Sequence, residues 1–335
     1  MRIAIVGGGV AGSYLASLMA NKHDIVIYER QSYEKFYTVC AWGTSLPELR
    51  KLSSKIGLNF DDYVLFAGKR MIVQLRDEEL EIPLKGLCTF DKRRFVMDMH
   101  KGKEIIYGEA VRTAPTDKYD LVVDATGFSR SLLPRVGKDY FIPTLEYKVK
   151  YRNPPLDDFM VRPLPGLTGY LWYFPLDNGY AHVGAGDYYK QHVEYLNDFM
   201  RRHGGEVVMK IGRPVRISPP HLCQPIMQNN LVGVGESIGV VYPALGEGII
   251  PGMHNAQLLA SCIEEGRLQE YPSKVLKKFN VYEKVFQFIR KKIKGEFNLL
   301  RDFRLVLSAF LHMKLAEDRY GMVIRLKDWL RVVEG

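Results

Sequence analysis

Apolar and polar positions change rhythm several times along the chain, and each change marks an element. Arg2–Val6 is a short, nearly continuous apolar run, residues 10–21 repeat apolar positions at helical spacing, and Asp24–Glu29 is strand-like again; together they predict one βαβ unit at the start. A polar helix is expected over residues 47–56, strands near 63–66, 71–75 and 80–82, and a helix over Lys92–His100. Residues 120–125 read as a central parallel strand, because the run is apolar on both faces. From about 145 to 216 the pattern turns to aromatic strands with turns, at 146–151, Gly169–Pro175 and 180–184, plus a helix near 191–202. A buried strand at 230–234, a glycine-rich loop and a helix over 248–264 return to the first pattern.

Three glycines sharpen the first unit. Gly7, Gly9 and Gly12 form GxGxxG between strand and helix, where a tight turn, a close backbone approach and helix-to-strand packing each require the absence of a side chain. The helix that starts there, with Val10 and Ala11 in its first turn, offers free N–H groups and a positive dipole end to a pyrophosphate. Glu29, twenty residues beyond Gly9 and followed by Arg30, stands where an acidic residue accepts ribose hydroxyls. The combination predicts dinucleotide binding and leaves NAD and FAD both open.

Two later segments bear on that choice. Asp124-Ala125-Thr126-Gly127 at a strand end, and Gly235-Glu236 with Gly246, Gly248 and Ile249, resemble the second and third fingerprints of FAD-dependent reductases and hydroxylases. The resemblance implies an FAD cofactor, with the late glycines opening a helix toward the flavin pyrimidine edge. Glu236 stands where that family usually has Asp, and Lys92 where it carries a cofactor-facing Arg. Tyr170-Leu171-Trp172-Tyr173-Phe174-Pro175, followed by His182-Val183-Gly184-Ala185-Gly186, resembles the YxWxFP…VGxG signature of the geranylgeranyl reductase family, and Tyr37-Thr38-Val39-Cys40 falls where family members have a cysteine near the flavin. Alternation puts Tyr170, Trp172 and Phe174 on one strand face, a wall of rings suited to a prenyl chain, with Pro175 at its end. Burying a C20 chain there releases about 16 kcal/mol gross at about 0.8 per carbon, less the costs of ordering and association.

The fold class so implied is α/β: a Rossmann-type FAD-binding domain with an antiparallel-sheet substrate domain and C-terminal helices. The cofactor domain is expected at 1–60, 85–135 and 217–270, the substrate domain at 61–84 and 136–216, and basic amphipathic helices at 271–335. The implied activity is saturation of C=C bonds in geranylgeranyl or polyprenyl chains, of an isoprenoid lipid or prenylquinone, by hydride from reduced flavin N5. Cys40 is the catalytic candidate, and His182, His221 and His254 are lesser candidates for the proton source. An aromatic-ring monooxygenase and a prenyl-binding carrier without chemistry stay open as alternatives.

Charge and cysteines add partners and place. Residues 271–335 hold 15 Lys/Arg against 7 Asp/Glu, nearly all of the net +9, interleaved with apolar residues as in amphipathic helices. Such helices suit an anionic membrane surface or simply pack, and the basic surface also suits a ferredoxin-like electron donor. With no second GxGxxG, NAD(P)H is expected to bind only transiently. No nucleic-acid motif accompanies the charge, so no nucleic-acid partner is expected. Four scattered cysteines without CxxC predict reduced thiols and no metal site. With neither a secretory signal nor an uninterrupted apolar span, the expected location is the cytoplasm, or peripherally the cytoplasmic face of the membrane.

Overall fold

A computed structural model describes residues 1–37 and 40–334, so Thr38 and Val39 of the cysteine loop lie outside the described residues. A six-stranded sheet runs in the order Met227–Gln228, Leu231–Gly233, Leu121–Asp124, Arg2–Val6, Asp24–Glu29, Glu104–Tyr107. Every pair in it is parallel except the hairpin at the 227–228 edge. Ile3, Ile5, Ile27, Val122 and Val123 are fully buried, as expected of strands covered on both faces. The first helix, Val10–Met19, and the long helix Ile249–Glu264 pack together on this sheet, with Tyr14, Leu15, Met253 and Leu259 fully buried in one core cluster.

The second large sheet has seven strands, in the order Glu206–Arg216, Phe141–Lys150, Tyr180–Asp187, Gly169–Pro175, Phe159–Pro163, Arg70–Gln74, Glu79–Pro83. It is antiparallel but for the pair 159–163 with 70–74. Its outer face (Tyr147, Leu171, Tyr173, Val183) forms a separate core under the helix His192–His203. Its inner face turns toward the parallel sheet.

Several elements differ from expectation. The strand Val64–Ala67, expected within the 61–84 part of the substrate domain, pairs with Leu87–Phe90 in a small three-stranded sheet with Gly43–Ser45. Strands 87–90, 104–107, 159–163 and 206–216 were not anticipated. The last is an edge strand whose outward residues are charged or exposed and which contains Pro214; an edge strand takes both without losing its ladder. The C-terminal helices turn their apolar sides inward, since Tyr271, Val275, Tyr282, Val285, Phe286 and Phe288 join the core of the parallel sheet. The helix Leu299–Leu315 also shows apolar residues outward: Leu300 is 91% and Leu315 87% exposed, with Phe303 and Leu311 partly so. Among the described residues no helix is long and apolar enough to cross a membrane.

Candidate functional site

The glycine turn is built as its spacing predicts. Gly7 has φ +113°, a backbone that L side chains rarely adopt, and a Cβ there would lie 2.3 Å from the Ala125 carbonyl oxygen. A Cβ on Gly12 would lie 2.2 Å from the Gly7 carbonyl oxygen, so this glycine sets the distance between helix and strand. Gly9 differs: a Cβ would meet nothing within 4 Å and would project into the open space its backbone lines. No side chain caps the helix that begins there, and no acidic residue sits in its first turn, which leaves the N–H groups free for an anion. Glu29 is buried, its oxygens accepting N–H bonds from Gly8 (2.9 Å) and Gln31 (2.9 Å), with a second lone pair left on each. His100, which sequence reasoning passed over, pins this loop through Nε2, 2.8 Å from Ser13 Oγ and 3.1 Å from the Gly8 oxygen; burial pushes its pKa down to about 4.

The turn opens into a cavity of about 1070 Å³ that continues to the inner face of the seven-stranded sheet. Gly7, Gly9, Val10, Ala11, Glu29, Arg30, Lys92, Ala125, Thr126, Gly127, Gly235, Glu236, Gly246, Gly248 and Ile249 line one part of it; Cys40, Tyr170, Trp172 and Phe174 line the other. Gly12, Asp124 and Pro175 are not among its lining residues. Asp124 is fully buried, and its carboxylate accepts from the Thr126 hydroxyl (2.7 Å) and the amides of Thr126, Leu132 (2.9 Å) and Leu133 (3.0 Å), so it holds the turn after its strand rather than facing a ligand. The Pro175 carbonyl accepts from the Thr89 hydroxyl at 2.6 Å.

Glu236 is engaged from the other sheet. Its carboxylate pairs with Arg213 and accepts from the Arg216 amide at 3.0 Å. Arg216, only 2% exposed, donates to the carbonyls of Glu236 (2.7 Å) and Phe128 (2.9 Å) and pairs with Asp139 (2.9 Å). The 206–216 edge strand thus ties both fingerprint loops to the second sheet. At the late loop the helix Ile249–Glu264 has Gly248 as N-cap, and Glu247 accepts from the Ile250 amide at 2.9 Å while pairing with Arg319 at 3.3 Å. Burial raises the Glu247 carboxyl against the opposing pull of Arg319.

Each aromatic of the strand Gly169–Pro175 has a seat. Trp172 lies across Gly184, whose Cβ would sit 2.3 Å from the indole, and Phe174 lies against Gly43, whose Cβ would sit 2.4 Å from the ring. The Tyr170 hydroxyl donates to the Leu245 carbonyl at 2.5 Å, joining the aromatic wall to the late loop. Cys40 Sγ accepts from the Trp42 amide at 3.2 Å. Of the three histidines, His182 is fully buried beside Phe174 on the inner face of the sheet; His221 lies 3.6 Å from Glu283 and His254 2.9 Å from Glu48, and none of the three lines the cavity. Sequence reasoning also missed a C-terminal contribution: Phe288, Met313, Tyr320 and Trp329 of the C-terminal helices line the same space.

No family model matches the chain. An uncharacterized protein of Methanocaldococcus jannaschii is 26% identical over 91% of this chain and 94% of its own length. A digeranylgeranylglycerophospholipid reductase of Methanosphaera stadtmanae is 27% identical over 54% of this chain, a match that takes in 43% of the reductase. Among solved structures, a geranylgeranyl bacteriochlorophyll reductase-like protein from Thermoplasma acidophilum superposes with TM-score 0.74 at 17% identity, over 99% of this chain and 95% of that one. A probable FAD-dependent monooxygenase from Pseudomonas aeruginosa gives TM-score 0.66 at 16% identity, over 91% and 99%. The resemblance to geranylgeranyl reductases is thus present in sequence over about half the chain and in fold over nearly all of it. The fold is that of Rossmann-type flavoproteins, and the relatives and neighbours of named activity are oxidoreductases.

Proposed function

We propose that this chain is an FAD-dependent reductase that saturates C=C bonds of geranylgeranyl or polyprenyl chains. The observation that carries the reading is the continuity of one cavity from the glycine turn to the aromatic wall. The residues fit FAD: the open space at Gly9, the uncapped N–H groups of the first helix and the lone pairs of Glu29 suit a pyrophosphate and a ribose. Gly235, Gly246 and Gly248 would hold the remainder of the molecule along the late loop. FAD, once reduced and bound, supplies the hydride that an alkene carbon receives.

The chain's own residues do the rest. Trp172 and Phe174, wedged over Gly184 and Gly43, give a fixed apolar wall against which an isoprenoid lies without any polar group to recognise. Phe288, Met313 and Trp329 add apolar lining from the C-terminal helices and would exclude water from the reacting carbons. Cys40, which lines the same cavity, is the candidate for orienting or protonating the substrate. The substrate is a polyprenyl lipid or prenylquinone; electrons come from NAD(P)H bound in passing or from a ferredoxin-like protein drawn to the basic C-terminal helices. The outward apolar residues of the helix Leu299–Leu315, with Arg301, Arg304 and Lys314 among them, are the surface that would rest on an anionic membrane.

The test is anaerobic. The purified protein is reduced, geranylgeranyl compounds are added, and the return of the flavin's visible absorption is followed. Reoxidation coupled to saturated product is expected, and failure with every prenyl chain refutes the reading. Oxygen-dependent NAD(P)H consumption with a ring substrate would point to a monooxygenase, and a purified protein releasing no flavin to a carrier. Cys40→Ser in the same assay is expected to slow reoxidation, and an unchanged rate removes Cys40 from the mechanism.

A further inference from the structure

The inner face of the seven-stranded sheet carries a carboxyl that the reading above does not use. Register places Ile211, Glu146, Gly184, Trp172 and Val161 in one row across five strands. All but the glycine line the cavity. Gly184 has no side chain, so the Trp172 indole lies over it toward Glu146. Glu146 is 3% exposed and lines the cavity, with its Oε2 and the neighbouring Trp172 Nε1–H both buried and without a hydrogen-bond partner. Its Oε1 lies 3.5 Å from His182 Nδ1.

That contact is not an ion pair. His182 is fully buried, and its ring stands edge-on to Trp42 at 4.7 Å. Burial, aided by Lys148, pushes the imidazole pKa down to about 3, so the ring is neutral. Burial pushes the Glu146 carboxyl up to about 8, with Trp172 and Lys92 pulling the other way. The other titratable groups around it are Tyr37 and Cys40 from the loop, Tyr170 on the next row of the wall, Lys92 from the helix Lys92–His100, and Lys148 two residues along its own strand. At neutral pH Glu146 is therefore a protonated acid on the wall of an apolar cavity, the state in which a carboxyl both tolerates such a site and has a proton to give.

We propose that Glu146 is the proton donor to the substrate in this cavity. The assignment rests on the reductase reading. One alkene carbon would take a hydride, two electrons and one proton, from the anionic reduced flavin, and the π pair would form the C–H bond to the carboxyl proton of Glu146 at the other carbon. The products are a saturated CH–CH unit, oxidised flavin and the Glu146 carboxylate. Water reprotonates the carboxylate, and the electron donor reduces the flavin again, before the next turn.

The experiment uses the flavin-loaded protein and Glu146→Gln, which keeps shape and removes the acid. In infrared spectra near neutral pH, wild type is expected to show a protonated buried carboxyl C=O band that E146Q lacks and that fades as pH rises through about 8. In single turnover with a geranylgeranyl lipid, E146Q is expected to reoxidise at least about 100-fold more slowly while keeping its flavin. The wild-type rate is expected to fall through the pH range in which the band fades. Should Gln disturb flavin binding, Glu146→Asp takes its place: it keeps the acid and the pH profile but withdraws it by one methylene, and turns over more slowly. A wild-type rate in E146Q, or spectra with no carboxyl band that the substitution removes, overturns the proposal. If wild type ignores every prenyl lipid, the reductase reading fails and the proton loses its acceptor; a band absent in E146Q then still identifies Glu146 as a neutral acid.

Discussion

Two alanine substitutions in the glycine turn separate a ligand site from a folding requirement. At Gly9 a methyl meets no atom within 4 Å, and the backbone (φ −77°, ψ −174°) is extended and open to any residue. Replacing glycine there stabilises by about 0.4–1 kcal/mol through the unfolded chain, while alanine as N-cap costs a comparable amount relative to glycine. The net change in stability is expected within about 0.5 kcal/mol of zero. The methyl would nevertheless occupy the open space proposed for the pyrophosphate. Gly9→Ala should therefore fold with a wild-type denaturant midpoint, measured on flavin-free protein, yet copurify with little flavin. Gly12→Ala should do the reverse damage: its methyl would lie 2.2 Å from the Gly7 carbonyl oxygen, an overlap with backbone that costs about 1–3 kcal/mol or more before any ligand is considered. The assay pairs flavin absorbance per protein with urea midpoints of the flavin-free forms. A G9A protein that keeps full flavin, or loses stability as G12A does, would refute the assignment of the open space to the cofactor.

Other consequences follow from the cavity walls. Gly184→Ala drives its methyl into the Trp172 indole and lies 2.9 Å from the Leu145 carbonyl oxygen, so a loss of about 1–3 kcal/mol and a shifted tryptophan emission are expected; an unchanged spectrum would mean that the indole lies elsewhere. Glu146→Gln should alter the pH dependence of stability. A folded pKa of about 8 against an ordinary value of 4.5 means that the native state holds a proton the unfolded chain has lost, so wild type loses stability as pH rises across that window. At 1.36 kcal/mol per unit the ceiling is about 5 kcal/mol, and urea midpoints of wild type and E146Q should diverge from pH 5 upward, with parallel curves counting against the raised pKa. Leu300→Ser with Leu315→Ser, at 91% and 87% exposure, should leave stability within about 0.5 kcal/mol. Sedimentation with anionic vesicles should fall about tenfold or more per leucine if each buries in lipid; equal binding would move the membrane surface elsewhere.

What could be read from the chain beforehand was whatever its neighbours in sequence determine. The βαβ unit, the helix Lys92–His100 and the strand Gly169–Pro175 rest on local periodicity, and the structure places them there. Alternation also put Tyr170, Trp172 and Phe174 on one face correctly, because that inference needs only the pleat. It did not say what else lines the cavity. Phe288, Met313 and Trp329 reach the cavity from more than a hundred residues away, and nothing in an amphipathic basic helix says which core its apolar side will join. Asp124 shows the same gap from the other side: a carboxylate at a strand end looks ready for a ligand until three backbone amides of the following turn are found on it.

Glu146 is the sharpest case. In an antiparallel strand with one wet face, a glutamate among apolar and aromatic residues marks the outside. Here the helix His192–His203 covers one face of the sheet and the cavity takes the other, so neither face is wet at this row and the inference from polarity to exposure fails. A buried polar group without a partner is costly, and a sheet offers many positions at which an apolar residue would cost nothing. That the chain keeps an acid at a position flanked by Gly184, with the Trp172 indole leaning over the gap, therefore weighs more than its polarity alone. The glycine makes room for the ring, and the same row of the sheet then supplies both the apolar wall proposed for an alkene and an acid within that wall.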